Sequence, residues 1–326
     1  MKKRILSGMR PTGKLHLGHL VGALENWKKL QDEYECFFMV ADWHALMSEY
    51  KNPKDLKENM IDNVVDWIAC GIDPKKATIF IQSHVKEHLE LYMIFSVITP
   101  LGLLERCPTY KEQLREITNR DLSTYGFLGY PVLQAADIAL YKAEVVPVGE
   151  DQLPHLELTR QIIRKFSNIY KIDIFPEPQA LLTKEKRLLG LDGRKMSKSY
   201  NNFIALSDDS QVIRKKVQGM FTDPERIKVS DPGHPEKCNV HTYYSIFAPD
   251  MNKEIEEACR KAQIGCTDCK KKLGSILTKF LEPIQEKRNE LLKTKKEIKE
   301  ILEEGCMKAQ AAAQDTILEV KKTVNI

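Results

Sequence analysis

Two histidines stand three apart in the stretch RPTGKLHLGHLVGAL (10–24), as His16 and His19 of an HLGH tetrapeptide. At a helix start that spacing turns both side chains to one side. Such a pair is half a metal site, but HLGH lacks the four-residue spacing and the glutamate of the familiar zinc-protease helix. Phosphate is the other use. Loop 10–16 has a Pro and a Gly for a tight turn and runs into a helix start, whose free N–H groups and positive dipole end favour an anion. Gly18, between the histidines, lets a ribose or base approach the backbone. Far downstream, GRKMSKSYNN (193–202) sets Lys195 and Lys198 among small hydroxyl residues in a Gly-led loop. Two ammonium groups on long stems suit a triphosphate whose charge grows as pyrophosphate leaves.

A third constellation is made of thiols. Of the eight cysteines, Cys36, Cys70, Cys107 and Cys306 are scattered and read as plain core or near-surface thiols. The others fall in one window as Cys238-x20-Cys259-x6-Cys266-x2-Cys269. Four thiolates complete a tetrahedral zinc site or hold an iron–sulfur cluster, and soft ligands exclude hard cations. In a cytoplasmic chain such a group points to a metal or redox centre rather than to disulfides.

The elements that must carry these residues follow from hydrophobic pattern. Short apolar runs at 3–8, 36–42 and 78–83 read as buried strands, and segments 17–31 and 53–71 have helical spacing, the latter opening on Pro and closing on Gly. Strands alternating with helices imply a parallel sheet covered on both faces, with ligands at the carboxyl ends of the strands near the switch in strand order. The expected fold class is therefore α/β, a Rossmann-like doubly wound parallel sheet over 1–204. From 205 to 326 the charged, helix-periodic segments 207–220, 253–263 and 283–305 predict a mostly helical second domain holding the cysteine group.

Composition is ordinary for a globular chain of 326 residues, 42% hydrophobic and 29% charged. No run approaches a membrane span, and MKKRILSGMRPTG is too short and too soon broken for a signal peptide, so a cytoplasmic chain without membrane attachment is expected. Most of the net charge of +4 lies after Met251, where KKK (270–272) and KTKKEIK (293–299) are either solvated helix faces or phosphate contacts.

HLGH with Leu17 in its variable position, together with Lys195-Met196-Ser197-Lys198-Ser199, resembles the paired signatures of the class I aminoacyl-tRNA synthetases. RPTG, VADWHA (40–45), GYPVLQAADIALY (129–141) and VPVGEDQ (146–152) look like the tryptophanyl-tRNA synthetases within that class. The resemblance runs from Lys3 to the C-terminal helices, with its most specific motifs between residues 8 and 200. It implies ATP, with Mg²⁺, as a substrate held by Arg10, Pro11, Thr12, Gly18, His19, Gly149, Glu150, Asp151 and the loop Lys195, Met196, Ser197, Lys198 and Ser199. Lys195, Lys198, His16 and His19 would be the catalytic set. Asp137 would accept the indole N–H of L-tryptophan, with Tyr130 and Gln152 near the amino group and His44 and Gln134 close by. A buried acceptor discriminates strongly against rings lacking a donor.

The thiol layout is similar to the subset of these enzymes that carries a 4Fe-4S cluster, with Zn²⁺ as the alternative and His234 or His241 as replacements for Cys238. The family further implies tRNA(Trp) as partner, an anticodon-binding role for 205–326 and a homodimer, for which the apolar segment 89–107 would serve. Gln134 stands where several bacterial members carry Met, and Arg10 where many carry Gln. The rival readings are a tyrosyl-tRNA synthetase on the same scaffold, and a non-catalytic tRNA-binding iron–sulfur paralogue.

Overall fold

The computed structural model describes residues 2–116, 121–182, 188–194, 196 and 200–326. Five parallel strands form one sheet: β1 (Arg4–Met9), β2 (Glu35–Val40), β3 (Ala77–Ile81), β4 (Val145–Val148) and β5 (Gln179–Leu182), in the order β3-β2-β1-β4-β5. The chain thus starts in the middle, builds β2 and β3 to one side, then returns to build β4 and β5 on the other. This is the doubly wound arrangement, and its switch point lies between β1 and β4. β2 is buried at five of its six positions, the near-continuous apolar strand of a sheet covered on both faces.

β1 and β4 have a single registered pair, Ile5 with Val145, whereas β1 and β2 are registered along six. A crevice opens beyond that pair. Against β2 the approach is close: a Cβ on Gly8 would lie 2.9 Å from the Met39 carbonyl oxygen. β4 and β5 escape the sequence pattern because they are short, and Pro147 and the surrounding prolines mask them.

The expected first helix forms, but it is interrupted. Leu17–His19 is α-helical, Leu20–Leu24 is a π turn, and Glu25–Glu33 resumes the α-helix. π turns inside helices favour functional sites because the extra residue re-aims the side chains around it. Here Gly22, Ala23 and Asn26 face the crevice.

After residue 202 the described elements are helical: Ser210–Gln218, Asn239–Phe247, Pro249–Arg260, Cys266–Lys293 and Lys295–Val324. Asp209 caps the first, accepting from the Gln211 and Val212 N–H groups at 2.8 Å each. The periodic segment 283–305 is not one helix beginning at its proline. Pro283 lies inside Cys266–Lys293, and the chain breaks at Thr294. Helical periodicity continues across both sites, so pattern alone does not locate the break. No helix among the described residues is long and apolar enough to cross a membrane.

The C-terminal helices return to the sheet. Lys295–Val324 packs on the edge strand β3 so closely that a Cβ on Gly305 would overlap the Ile79 carbonyl, at 1.8 Å. Cys266–Lys293 packs on Leu56–Ala69 through Arg288, which donates to Asp66 at 2.8 Å and to Asp62. Asp66 is buried, and losing the guanidinium would strand two carboxylates in a low-dielectric contact. Arg288→Ala is expected to cost about 3–5 kcal/mol, read as a lowered urea midpoint.

Candidate active site

The crevice holds a cavity of about 320 Å³ at the carboxyl ends of β1 and β4. Gly8 and Met9 line it from one side and Val146–Gly149 from the other, while His44, Gln134, Asp137 and Gln152 supply its polar groups. The helix Tyr125–Leu140 brings two of these. Its Thr124 cap accepts the Phe127 N–H, and Gln134 and Asp137, three apart, share the face toward the cavity.

That helix is buried over most of its length, and Asp137 is only 2% exposed. A carboxylate there has no water and needs protein donors. Three side chains supply them. Gln82 Nε2 donates to both oxygens (2.8 and 3.0 Å), His88 Nδ1 lies 2.6 Å from Oδ1, and His44 Nε2 lies 2.7 Å from Oδ2. Burial by itself would push the carboxyl up, but the hydrogen bonds from His44 and His88 outweigh it and hold it down at about 2. Asp137 is thus an ionised, acceptor-only group at an apolar cavity wall.

Gln82, His88 and Tyr141, whose hydroxyl lies 2.9 Å from His88 Nε2, are the site residues that motif reading passes over. The available signal was a histidine set inside the apolar run EHLELYMIF. Tyr130 is positioned differently from its neighbours. Its hydroxyl lies 2.9 Å from His155 Nε2, and its ring packs with Leu122 and Phe127 in a small cluster beside the cavity rather than lining it. Burial lowers His155 to about 4, so its imidazole stays neutral at ordinary pH.

At this same carboxyl end of β1, loop 10–16 turns tightly. The Thr12 N–H donates to the Arg10 carbonyl at 2.8 Å, and Gly13 takes φ +119°, a conformation that favours glycine. Pro11 is buried, while Arg10 is exposed. The His16 and His19 rings lie 3.8 Å apart, and the His16 N–H donates to His19 Nδ1 at 3.2 Å. The pair therefore holds one helix start together.

The chain after the lysine loop pairs antiparallel with this segment. Leu17 N–H donates to the Ile204 carbonyl (3.1 Å) and Leu206 N–H to Leu15 (3.0 Å). The loop is closed at its base, where Leu191 N–H meets the Asn202 carbonyl at 2.7 Å and Asn202 Nδ2 donates to Asp192 at 2.8 Å. Met196 returns to Gly18: a Cβ there would lie 3.0 Å from both Met196 Sδ and the His16 ring. Lys195, Ser197, Lys198 and Ser199 lie outside the described residues. Across the cavity, Gly149 opens a 3₁₀ turn of Glu150–Gln152, in which Glu150 and Asp151 are exposed and Gln152 donates to Asp151 at 3.0 Å.

Remote from this cavity, the four cysteines meet at helix ends. Cys238 precedes Asn239–Phe247, Cys259 is in the last turn of Pro249–Arg260, and Cys266 and Cys269 are in the first turn of Cys266–Lys293. Burial pushes Cys269 up to about 12, and the charges of Cys238, Cys259 and Cys266 add to that shift. The thiols are close enough to oppose one another's ionisation. No three of their sulfurs lie mutually within 4.8 Å among the described residues. His234 is committed to Asp223 at 2.9 Å, and His241 approaches Glu256 at 3.7 Å.

The cavity at the switch point, its buried acceptor and the histidine segment paired with residues 204–206 make one assembly. A family described as tRNA synthetases class I (W and Y) matches residues 1–282. The tryptophan–tRNA ligase of Thermotoga maritima is 52% identical over 326 residues, covering 99% of each chain. The chain belongs to the class I tryptophanyl-tRNA synthetases. The ligase of Aquifex aeolicus is 46% identical over an alignment of 394 residues, covering 99% of this chain and all of its own. A Campylobacter jejuni tryptophanyl-tRNA synthetase complexed with ADP and tryptophan superposes with a TM-score of 0.90 at 34% identity, over 99% of this chain and 100% of that one.

The contact between Gly18, His16 and Met196 gives a direct check on the nucleotide side. Gly18→Ala must push one of those side chains aside. It is expected to lower kcat/KM for ATP in pyrophosphate exchange about 10- to 100-fold, the order that an ångström-scale misplacement costs, with little change in the unfolding midpoint.

Proposed function

We propose that this chain is a tryptophan–tRNA ligase whose amino-acid choice rests on Asp137. In the first step an oxygen of the tryptophan carboxylate attacks the α-phosphorus of ATP in line; the new O–P bond forms as the bond to pyrophosphate breaks. In the second, a hydroxyl of the terminal tRNA ribose attacks the activated carbonyl and AMP leaves. No side chain forms a covalent intermediate, so the work is positioning and electrostatic stabilisation.

The observation that carries this reading is the ionised Asp137 carboxylate on the wall of a largely apolar cavity. Such a group accepts an indole N–H, and a ring without a donor would leave it underused. Gln152 and Gln134 are within the same cavity for the polar end of the amino acid. In this reading Tyr130, beside them, reaches the amino group once substrate orders the site, and His44 trims the indole pocket. The helix start at His16–His19, Gly18, the turn at Arg10, Pro11 and Thr12, and the segment Gly149, Glu150 and Asp151 hold ATP. Lys195 and Lys198, with Met196, Ser197 and Ser199, close over the phosphates and meet the charge that develops on pyrophosphate. Mg²⁺, when bound with ATP, would supply further charge neutralisation.

The segment 205–326 would bind the anticodon end of tRNA(Trp), with the lysines at 270–272 facing its phosphates. Two copies would pair through the helix Glu87–Ile98 and the next turn, where Met93, Val97 and Leu101 are 63%, 74% and 60% exposed. A cytoplasmic location accords with a tRNA substrate.

For the cysteines we favour a 4Fe-4S cluster held by Cys238, Cys259, Cys266 and Cys269. Four soft thiolate ligands suit a tetrahedral zinc or a cluster, and the similarity of their layout to that of the cluster-carrying tryptophanyl enzymes favours the cluster. Arg226 supports a negatively charged occupant. Its Nη1 lies 3.8 Å from Cys259 Sγ, and its buried Nε has no acceptor among the described residues. When bound, the cluster supplies a four-point staple joining three helices.

Two experiments test these assignments. ATP–pyrophosphate exchange should proceed with tryptophan and not with tyrosine, and Lys195→Ala should lower it on the order of 10²-fold; equal rates with tyrosine would overturn the amino-acid assignment. Protein purified anaerobically should be brown and contain iron and sulfide. Zinc, or no metal at all, would end the cluster reading.

A further inference from the structure

Asp137 has two oxygens, and only one can be offered to a substrate if the other is held. Gln82 does not choose between them, since its single amide nitrogen lies 2.8 Å from Oδ1 and 3.0 Å from Oδ2. Its own Oε1 is buried without a partner among the described residues, yet the amide cannot turn over, because that would set an oxygen against the carboxylate. His44 reaches Oδ2 from the cavity wall, where a ligand competes with it. The contact that distinguishes the oxygens out of reach of the cavity is His88 Nδ1 to Oδ1, at 2.6 Å.

His88 is fully buried on Glu87–Ile98, packed against Tyr125–Leu140. Its imidazole bridges Asp137 and the residue just past that helix's end, with Nδ1 toward Asp137 and Nε2 toward the Tyr141 hydroxyl at 2.9 Å. An ionised carboxylate only accepts, so Nδ1 carries the proton and Nε2 takes the Tyr141 O–H. Tyr141 is itself fully buried between Phe37 and Phe80, at ring distances of 4.7 and 5.4 Å. Burial pushes its hydroxyl well up from its ordinary value, so it keeps the proton it donates.

We propose that His88 is a positioning residue for side-chain selection: locked in one tautomer by Tyr141, it pins Oδ1 of Asp137 and leaves Oδ2 turned to the cavity as the acceptor for the substrate N–H. This rests on the reading of Asp137 as that acceptor. Chains of this kind, in which a buried hydroxyl orients an imidazole that orients a carboxylate, fix direction as well as charge.

The test compares L-tryptophan with β-(3-benzothienyl)-L-alanine, the isostere with sulfur in place of the indole N–H, in ATP–pyrophosphate exchange by the full-length enzyme. His88→Leu is expected to raise KM for tryptophan about 10- to 100-fold, with kcat within about threefold and KM for ATP unchanged. KM for the isostere should barely move, so the preference for tryptophan collapses. His88→Asn, which keeps a donor near Nδ1, should restore most of that preference, and Tyr141→Phe should lower it severalfold. Equal losses for both amino acids, or an unchanged preference in His88→Leu, would overturn the proposal. If His88→Leu does not fold, Tyr141→Phe decides: lost preference supports the relay and intact preference refutes it. Asp137→Leu, which removes the acceptor altogether, separates the two levels. If it removes the preference while His88→Leu does not, only the role of His88 falls. If the preference survives Asp137→Leu, the acceptor reading falls and this inference with it.

Discussion

A carboxylate shut away from water must find its donors in the protein, and much of the cavity half of the structure is arranged by that requirement. Asp137 sits on a helix that is buried almost all round, so its donors have to come from other elements. Gln82 follows directly from β3, His88 projects from Glu87–Ile98, and His44 from Asp42–Glu49 at the end of β2. Hydrogen bonds of 2.6–2.8 Å to one group fix the relative positions of two strand ends and three helices. An apolar residue at 137 would relax that requirement and remove the cavity's charged acceptor. Selectivity and local architecture therefore draw on the same contacts.

The nucleotide side depends on a different constraint, the meeting of segments nearly two hundred residues apart. Backbone pairing of 15–17 with 204–206 brings the base of the lysine loop to the first helix, and Gly18 leaves room for Met196. The later helices hold this arrangement from behind. Gln285 donates to the Leu206 and Asp208 carbonyls, and Arg288 on the same helix joins Asp62 and Asp66. Gly305 then lays the last helix on the backbone of β3. The C-terminal segment is thus fastened to residues 206–208, to Leu56–Ala69 and to β3.

Much of the fold was legible where burial is uniform. β2 and β3 read as strands because nearly every residue in them is buried, and Leu56–Ala69 read as a helix from its spacing and its flanking Pro and Gly. β4 and β5 did not, since four residues with a proline among or beside them carry little periodic signal. The π turn at Leu20–Leu24 leaves helical spacing almost intact, so nothing in the pattern announces it. Among site residues, Asp137, Gln134, His44, Gln152 and Gly149 do line one cavity, whereas the Tyr130 hydroxyl is directed to His155. Gln82, His88 and Tyr141 were not legible because a polar residue inside an apolar run looks the same whether it supports a site or merely finds a partner.

The sequence by itself determined which chemistry was available: paired histidines and lysines with the spacing of a nucleotide site, one acid in an apolar helix, and four soft ligands in one window. Residue type and local spacing are covalent facts, and they survive without a fold. Only the tertiary structure decided that β1 and β4 part after one registered pair to leave a cavity, that Met196 returns to Gly18, and that the oxygens of Asp137 receive different partners. Those outcomes depend on contacts between residues distant in sequence. Distances of a few tenths of an ångström separate a hydrogen bond from a mere neighbour, and packing, not spacing along the chain, sets them.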